Sequence, residues 1–236
     1  MVTQPHAVAA VAENAEGVVV FGLEGLSRLA AHVLAHEGGL TVAGFTAHRR
    51  YCDRDALDGR PVLPFEDLDQ THPPERFSLL APIGWRRMCG LRADVLADGR
   101  DRGFHFASYV SPRAVTWPDL SVGDNVMVYD SVVIQPFTHL GHGCVVRSGA
   151  FLSHDVQVGD HCFIASRATV GGGAVVGERC VIGLNATICS GVRVAPRCFV
   201  TAGAVLTTDT EPGGIYRGNP ARRSRLPSDR IDRLRV

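Results

Sequence analysis

With 236 residues, 45% of them apolar, the chain suffices for one large or two small domains and carries enough apolar side chains to bury a core. Its 24 basic residues, all arginine, balance 24 acidic ones, so overall charge gives no reason to expect nucleic acid or a membrane surface as a partner. No apolar run approaches a membrane span, and the start, "MVTQPHAVAAVAENAEG", lacks the basic flank and apolar length of a signal peptide. The expected location is cytoplasmic, and the seven cysteines are expected as reduced thiols rather than a disulfide framework.

In chain order, "GVVVFGLEGLSRLAAHVLAHEGGLTVAGFTA" predicts strand, glycine turn, helix, strand, and "ERFSLLAPIGWRRMCGLRADVLADGRDRG" a further strand and helix. Alternating units of this kind predict a small parallel α/β domain over residues 1–106, ending near "FHFASYVSPRAV".

A repeat follows. Stepping by six from Val110 meets Val122, Val128, Ile134, Leu140, Val146, Leu152, Val158, Ile164, Val170 and so on to Leu206, broken only by Thr116. Four residues after each stands a second, smaller series, including Ala150, Ala168, Ala174, Ala186 and Ala204. Neither helical periodicity nor strand alternation gives a strict period of six. A solenoid does, each hexad being one short strand and a corner, with the aliphatic residue inside and the small one where the wall turns. The repeat is assigned to residues 107–212, with residues 213–236 as a closing segment and basic tail.

This pattern resembles the left-handed β-helix of the hexapeptide-repeat acyltransferases. A small Rossmann-like α/β domain followed by such a helix resembles, more narrowly, the sialic-acid O-acetyltransferase and bacillosamine N-acetyltransferase family. The resemblance implies three hexads per coil, so that residues 18 apart sit on neighbouring coils, about 4.8 Å apart. Cys144, Cys162, Cys180 and Cys198 then form one inward ladder. Buried small hydrophobes at a tight corner suit that placement better than a metal, since zinc needs ligands converging on one point.

On the same spacing, His154 and Asp155 fall one coil before Gly172 and Gly173 and two before Ser190 and Gly191. An imidazole therefore faces a strip with almost no side chains. Glycine is costly in a strand and often marks close approach by a ligand or another backbone. The strip suits the thin pantetheine arm of coenzyme A, and close packing of a neighbouring subunit suits it equally. The resemblance makes His154 a general base and Asp155 the acid that orients it; a neutral imidazole can accept the proton an amine or hydroxyl loses on attacking a thioester. The bare N–H of Gly172 could serve the oxyanion. Residues Arg147, Ser148, Ala165, Ser166, Gly183, Leu184, Thr201 and Ala202 are expected to face the His154 wall of a neighbour, and the wall carrying His142, Asp160, His161, Glu178, Arg179 and Arg197 is expected to face water.

In the family the front domain commonly holds the nucleotide of a nucleotide-linked sugar at a turn that reads G-x-G-G-H-G. Gly22 and Gly25 match as substrate-binding positions, whereas Glu24 and Leu26 depart, and an acid is unfavourable beside phosphate. "GNPAR" resembles the segment that closes the helix near the coenzyme A nucleotide. Asn219 and Arg222 are its candidate contacts, with Arg222 or Arg223 reaching phosphate, and a solvated basic tail fits the same residues.

The expectation is a homotrimeric, acetyl-CoA-dependent acetyltransferase with no metal, acting by direct attack on the amine of a nucleotide-linked amino sugar. A hydroxyl acceptor such as a sialic acid and a non-catalytic scaffold are the alternatives. Zinc carbonic anhydrases share the fold, but their histidines five apart are missing here.

Overall fold

The computed structural model describes residues 9, 10 and 15–233. Most of the start assessed above for a signal, and Arg235 of the basic tail, lie outside the described residues.

After a two-residue strand β1 (Ala9–Ala10), the front domain runs β2 (Gly17–Phe21), α1 (Leu26–His36), β3 (Val42–Ala47), β4 (Ala56–Leu57), β5 (Arg60–Pro64), the short α2 (Leu68–Thr71), β6 (Phe77–Leu80) and α3 (Gly90–Asp101). The sheet order is β4-β5-β3-β2-β6. All neighbours are parallel except β4 with β5. β2 is apolar and buried along its whole length, as befits a strand covered on both faces. α1 buries Ser27, Ala30, Ala31 and Leu34, and α3 buries Arg92, Val95, Leu96 and Gly99, each a stripe at helical spacing. β3 lies on one side of β2 and β6 on the other. The turns at the carboxyl ends of β2 and β6 therefore flank a crevice of the kind in which open α/β sheets bind ligands.

From β7 (Ser108–Val110) the chain winds through fifteen two-residue strands, β8 (Ser121–Val122) to β22 (Val205–Leu206), and closes with the hairpin β23 (Gly214–Arg217) and β24 (Arg222–Pro227). Each strand from β8 to β19 pairs in parallel with the strand 18 residues on, as in Val133↔Phe151↔Thr169↔Thr187↔Val205. Three walls result, a parallel β-helix that fits the left-handed kind. Both sequence series point inward: Ile134, Leu152, Val170 and Ile188 are sealed from solvent, and so are Ala150, Ala168 and Ala186.

One wall turns its outer side chains to the front domain. Met127, Val145, Phe163, Val181 and Phe199 are buried in one apolar cluster with Tyr109 and Met88, with Trp85 packed edge-on to Phe199 at 5.4 Å. This corrects the expectation that the charged hexads face water. Glu178 and Arg197 do, but the corner before this wall lies under α3. Buried Arg92 donates to the carbonyls of Ile83 and Gly84 in the front domain and of His161 and Cys162 in the β-helix. Arg179 donates to the carbonyls of Arg87 and Met88. The sequence pattern missed this because charge marks a solvated face only when no backbone carbonyls are aimed at it.

Candidate active site

His154 and Asp155 form the corner after β13 (Phe151–Leu152), with side chains 62% and 59% exposed. Consecutive residues on a strand would point apart. Here Asp155 takes φ +58°, a left-handed conformation that Asp tolerates, and the turn brings its Oδ2 to 2.7 Å from His154 Nδ1. A carboxylate only accepts, so the pairing puts the proton on Nδ1 and leaves Nε2 as the free base. Behind the ring, Gln135 Oε1 accepts from the His154 N–H at 3.1 Å and from Ser153 Oγ at 2.8 Å, which ties the corner to the preceding coil.

The three glycines one coil on have three different physical reasons. A Cβ on Gly171 would lie 2.5 Å from the Ser190 nitrogen, so the next coil excludes one. A Cβ on Gly172 would lie 2.9 Å from His154 Nε2 and 3.0 Å from Cε1: the imidazole occupies the place of that side chain. Gly173 has φ +67° and open space around it, as does Gly191 at φ +72°. The corners are laced by Gly173 N–H to His154 O and Gly191 N–H to Gly172 O, both 2.9 Å, while the Gly172 N–H makes no hydrogen bond among the described residues. His154, Asp155, Gly172, Gly173, Ser190 and Gly191 are thus brought onto one strip. Asn219 lies at the far end of the adjoining wall: Val205 donates to the Gly218 carbonyl and Ala221 to the Val205 carbonyl, about four sheet spacings (~19 Å) from β13. Arg222 continues into the exposed hairpin, and its neighbour Arg223 pairs with Glu211 at 3.0 Å.

The cysteine ladder is inside. Cys144, Cys162, Cys180 and Cys198 are fully buried, each Sγ lying 3.0–3.2 Å from a backbone carbonyl it can donate to. The hydrogen bond from Cys162 and then burial push the Cys144 thiol well above its usual range, and burial does the same to Cys162. Among the described residues no group of three or more His, Cys, Asp or Glu side chains is placed to hold a metal ion. The other histidines are dispersed. His139 meets Ser121 at 3.1 Å, His142 accepts from the Asp124 N–H, and half-buried His161 is pushed down to about 4 by desolvation and by Arg92.

Gly22 and Gly25 lie elsewhere, at the β2 turn. Gly22 has φ +107°, and a Cβ there would strike Ser27 Oγ at 2.2 Å; Gly25 caps α1 at φ +52°. Gly22, but not Gly25, borders a cleft of about 460 Å³ shared with Glu24, Arg50, Tyr51 and Arg86. A contiguous cleft of about 810 Å³, also lined by Arg50 and Arg86, runs on past Trp85 to Phe163 of the β-helix. Arg50, Tyr51, Trp85 and Arg86 were missed in the sequence. The available signal was their position, directly after the carboxyl ends of β3 and β6.

The family models that match are bacterial transferase hexapeptide (six repeats), over residues 155–188, and hexapeptide repeat of succinyl-transferase, over residues 173–208. No curated protein matches the sequence. Among solved structures, PerB from Caulobacter crescentus, in complex with CoA and GDP-perosamine, is 27% identical with a TM-score of 0.80, over 92% of this chain and 99% of that one. The acetyltransferase domain of PglB from Neisseria gonorrhoeae, in complex with acetyl coenzyme A, is 25% identical with a TM-score of 0.78, over 89% and 100%. WeeI from Acinetobacter baumannii shares the fold at 20% identity and a TM-score of 0.53. The chain carries hexapeptide repeats and is an acyltransferase, similar over most of its length to sugar N-acetyltransferases.

Proposed function

We propose that the chain transfers the acetyl group of acetyl-CoA to the amine of a nucleotide-linked amino sugar. The observation that carries this is the seating of the His154 imidazole over the bare Cα of Gly172, with Asp155 on its Nδ1. The thioester arm runs along Gly172, Gly173, Ser190 and Gly191, with its nucleotide end toward Asn219 and Arg222. Nε2 takes the proton as the amine attacks the thioester carbonyl, the free Gly172 N–H stabilises the oxyanion, and the coenzyme leaves as thiol. No covalent acyl-enzyme is needed. The front domain, read as Rossmann-like, holds the nucleotide at the Gly22 turn, where Arg50 and Arg86 offset Glu24 and face the diphosphate.

His154 stands at the corner after β13, and the cleft that leads from the nucleotide ends at Phe163 on the wall that carries β15. A second copy must bring the two together, which fits a homotrimer with sites between adjacent prisms. The test is thiol release from acetyl-CoA against a panel of free and nucleotide-linked sugars. Release with a nucleotide-linked amino sugar, and not with its free form, is the expected outcome. Release with neutral polyols alone would move the acceptor to a hydroxyl.

A further inference from the structure

Where the cleft reaches the β-helix, a groove of about 310 Å³ opens along the wall. Ala165 and Gly183 form its floor, Phe163, Phe199 and Trp85 its aromatic side, and Arg147, one coil before Ala165, closes one end. Arg147 has no carboxylate partner among the ion pairs of the described residues. Nine other arginines among the described residues pair with a carboxylate. Arg147 instead lies over the Tyr129 ring, its guanidinium carbon 4.3 Å from the centroid, and its Nη1 is buried with no hydrogen-bond partner. The Tyr129 hydroxyl beneath it is buried and unpartnered too.

A buried guanidinium nitrogen without a partner has given up water and gained no hydrogen bond in return. A ligand that supplies an anionic oxygen recovers that loss. Because Arg147 Nη1 is already withdrawn from water and the guanidinium is held by the Tyr129 ring, little further ordering is needed. The diphosphate of a nucleotide-linked acceptor has Arg50 and Arg86 in the adjoining cleft, so Arg147 answers a different anion. The aromatic side suits the C–H face of a sugar ring.

We propose that this groove receives the sugar ring of the acceptor and that Arg147 reads a carboxylate on it, so that the acceptor is a uronate-type sugar. The assignment rests on the nucleotide-linked-sugar proposal for its position in the cleft, and on Arg147 alone for the carboxylate. A guanidinium holds a carboxylate bidentately, with two parallel charge-assisted bonds to an opposite charge, where a neutral hydroxymethyl group offers one uncharged acceptor.

The experiment is calorimetry on the full chain with matched pairs of probes: GDP-mannuronate against GDP-mannose, UDP-glucuronate against UDP-glucose, and free glucuronate against glucose. The uronate of at least one pair should bind about tenfold tighter or better. Arg147→Met should abolish the preference and leave the affinity for the neutral partner within about twofold. Arg167→Met, at an exposed arginine outside the groove, should leave the preference intact. Free glucuronate binding in an Arg147-dependent way, without binding of any nucleotide-linked probe, would remove the nucleotide proposal and keep this one. Equal affinities within every pair, or a preference that survives Arg147→Met, overturns it. If Arg147→Met does not fold, the pairwise comparison in the unaltered protein decides by itself.

Discussion

At the scale of single residues, Gly172 is the most informative position in the chain. A column of small residues is ambiguous in sequence, since bare wall suits a ligand and a packed neighbour alike. The structure adds a reason visible in neither: the imidazole of His154 fills the volume a side chain would take. Gly172→Ala should therefore push the ring off the strip. Turnover should fall by about tenfold or more with a much smaller change in melting temperature, since the atom displaced is the tip of an exposed side chain. Unchanged turnover would show that the ring can act from elsewhere. The cysteines give the opposite case, in which a suggestive spacing carries only packing. Their burial and the raised thiols of Cys144 and Cys162 predict slow reaction with a thiol reagent in the native state and rapid reaction after unfolding. Fast labelling of the native ladder would contradict that.

At the scale of elements, the period of six declared the β-helix, because each hexad must place one aliphatic residue inside and each coil must repeat the last. The front-domain elements were legible for a similar reason: β2 is a continuous apolar run, and α1 and α3 carry helical stripes. The docking of α3 on the β-helix was not legible. Its key residue is an arginine that satisfies backbone carbonyls, and no pattern of residue types announces a carbonyl. Arg92→Met would leave those carbonyls on both domains without their donor and should lower stability by at least about 2 kcal/mol, read by denaturant unfolding. The same junction half-buries His161. Its folded value of about 4 lies below the ordinary histidine value of 6.5, so the unfolded chain binds the extra proton first. Stability is full above pH 6.5 and declines as pH falls from there toward 4. His161→Gln should flatten the decline over that window in pH-dependent melts, and an unchanged slope would place the titrating group elsewhere.

At the scale of the whole molecule, the proposed base stands at the corner after β13 and the proposed acceptor cleft leads to Phe163 on another wall, so the proposal calls for a second copy to bring them together. Sedimentation should find an assembly larger than the monomer. Mixing two inactive variants, one lacking His154 and one lacking Trp85, should restore part of the turnover, because a mixed assembly contains interfaces with both residues. No restored turnover in a demonstrably mixed assembly would place base and acceptor in one chain. What the sequence could not show was this separation. His154, Gly172 and Gly22 were each legible as local signatures, but which corner of the prism each occupies follows from the coil register and from how the front domain sits against it.

The most direct measurement is thiol release from acetyl-CoA by His154→Ala, with the acceptor that the unaltered enzyme uses and with assembly and melting temperature checked in parallel. Removing the general base should lower kcat by at least about 10²-fold while the protein stays folded and assembled. Near-normal turnover by a folded, assembled His154→Ala would contradict the role given to that imidazole and with it the mechanism.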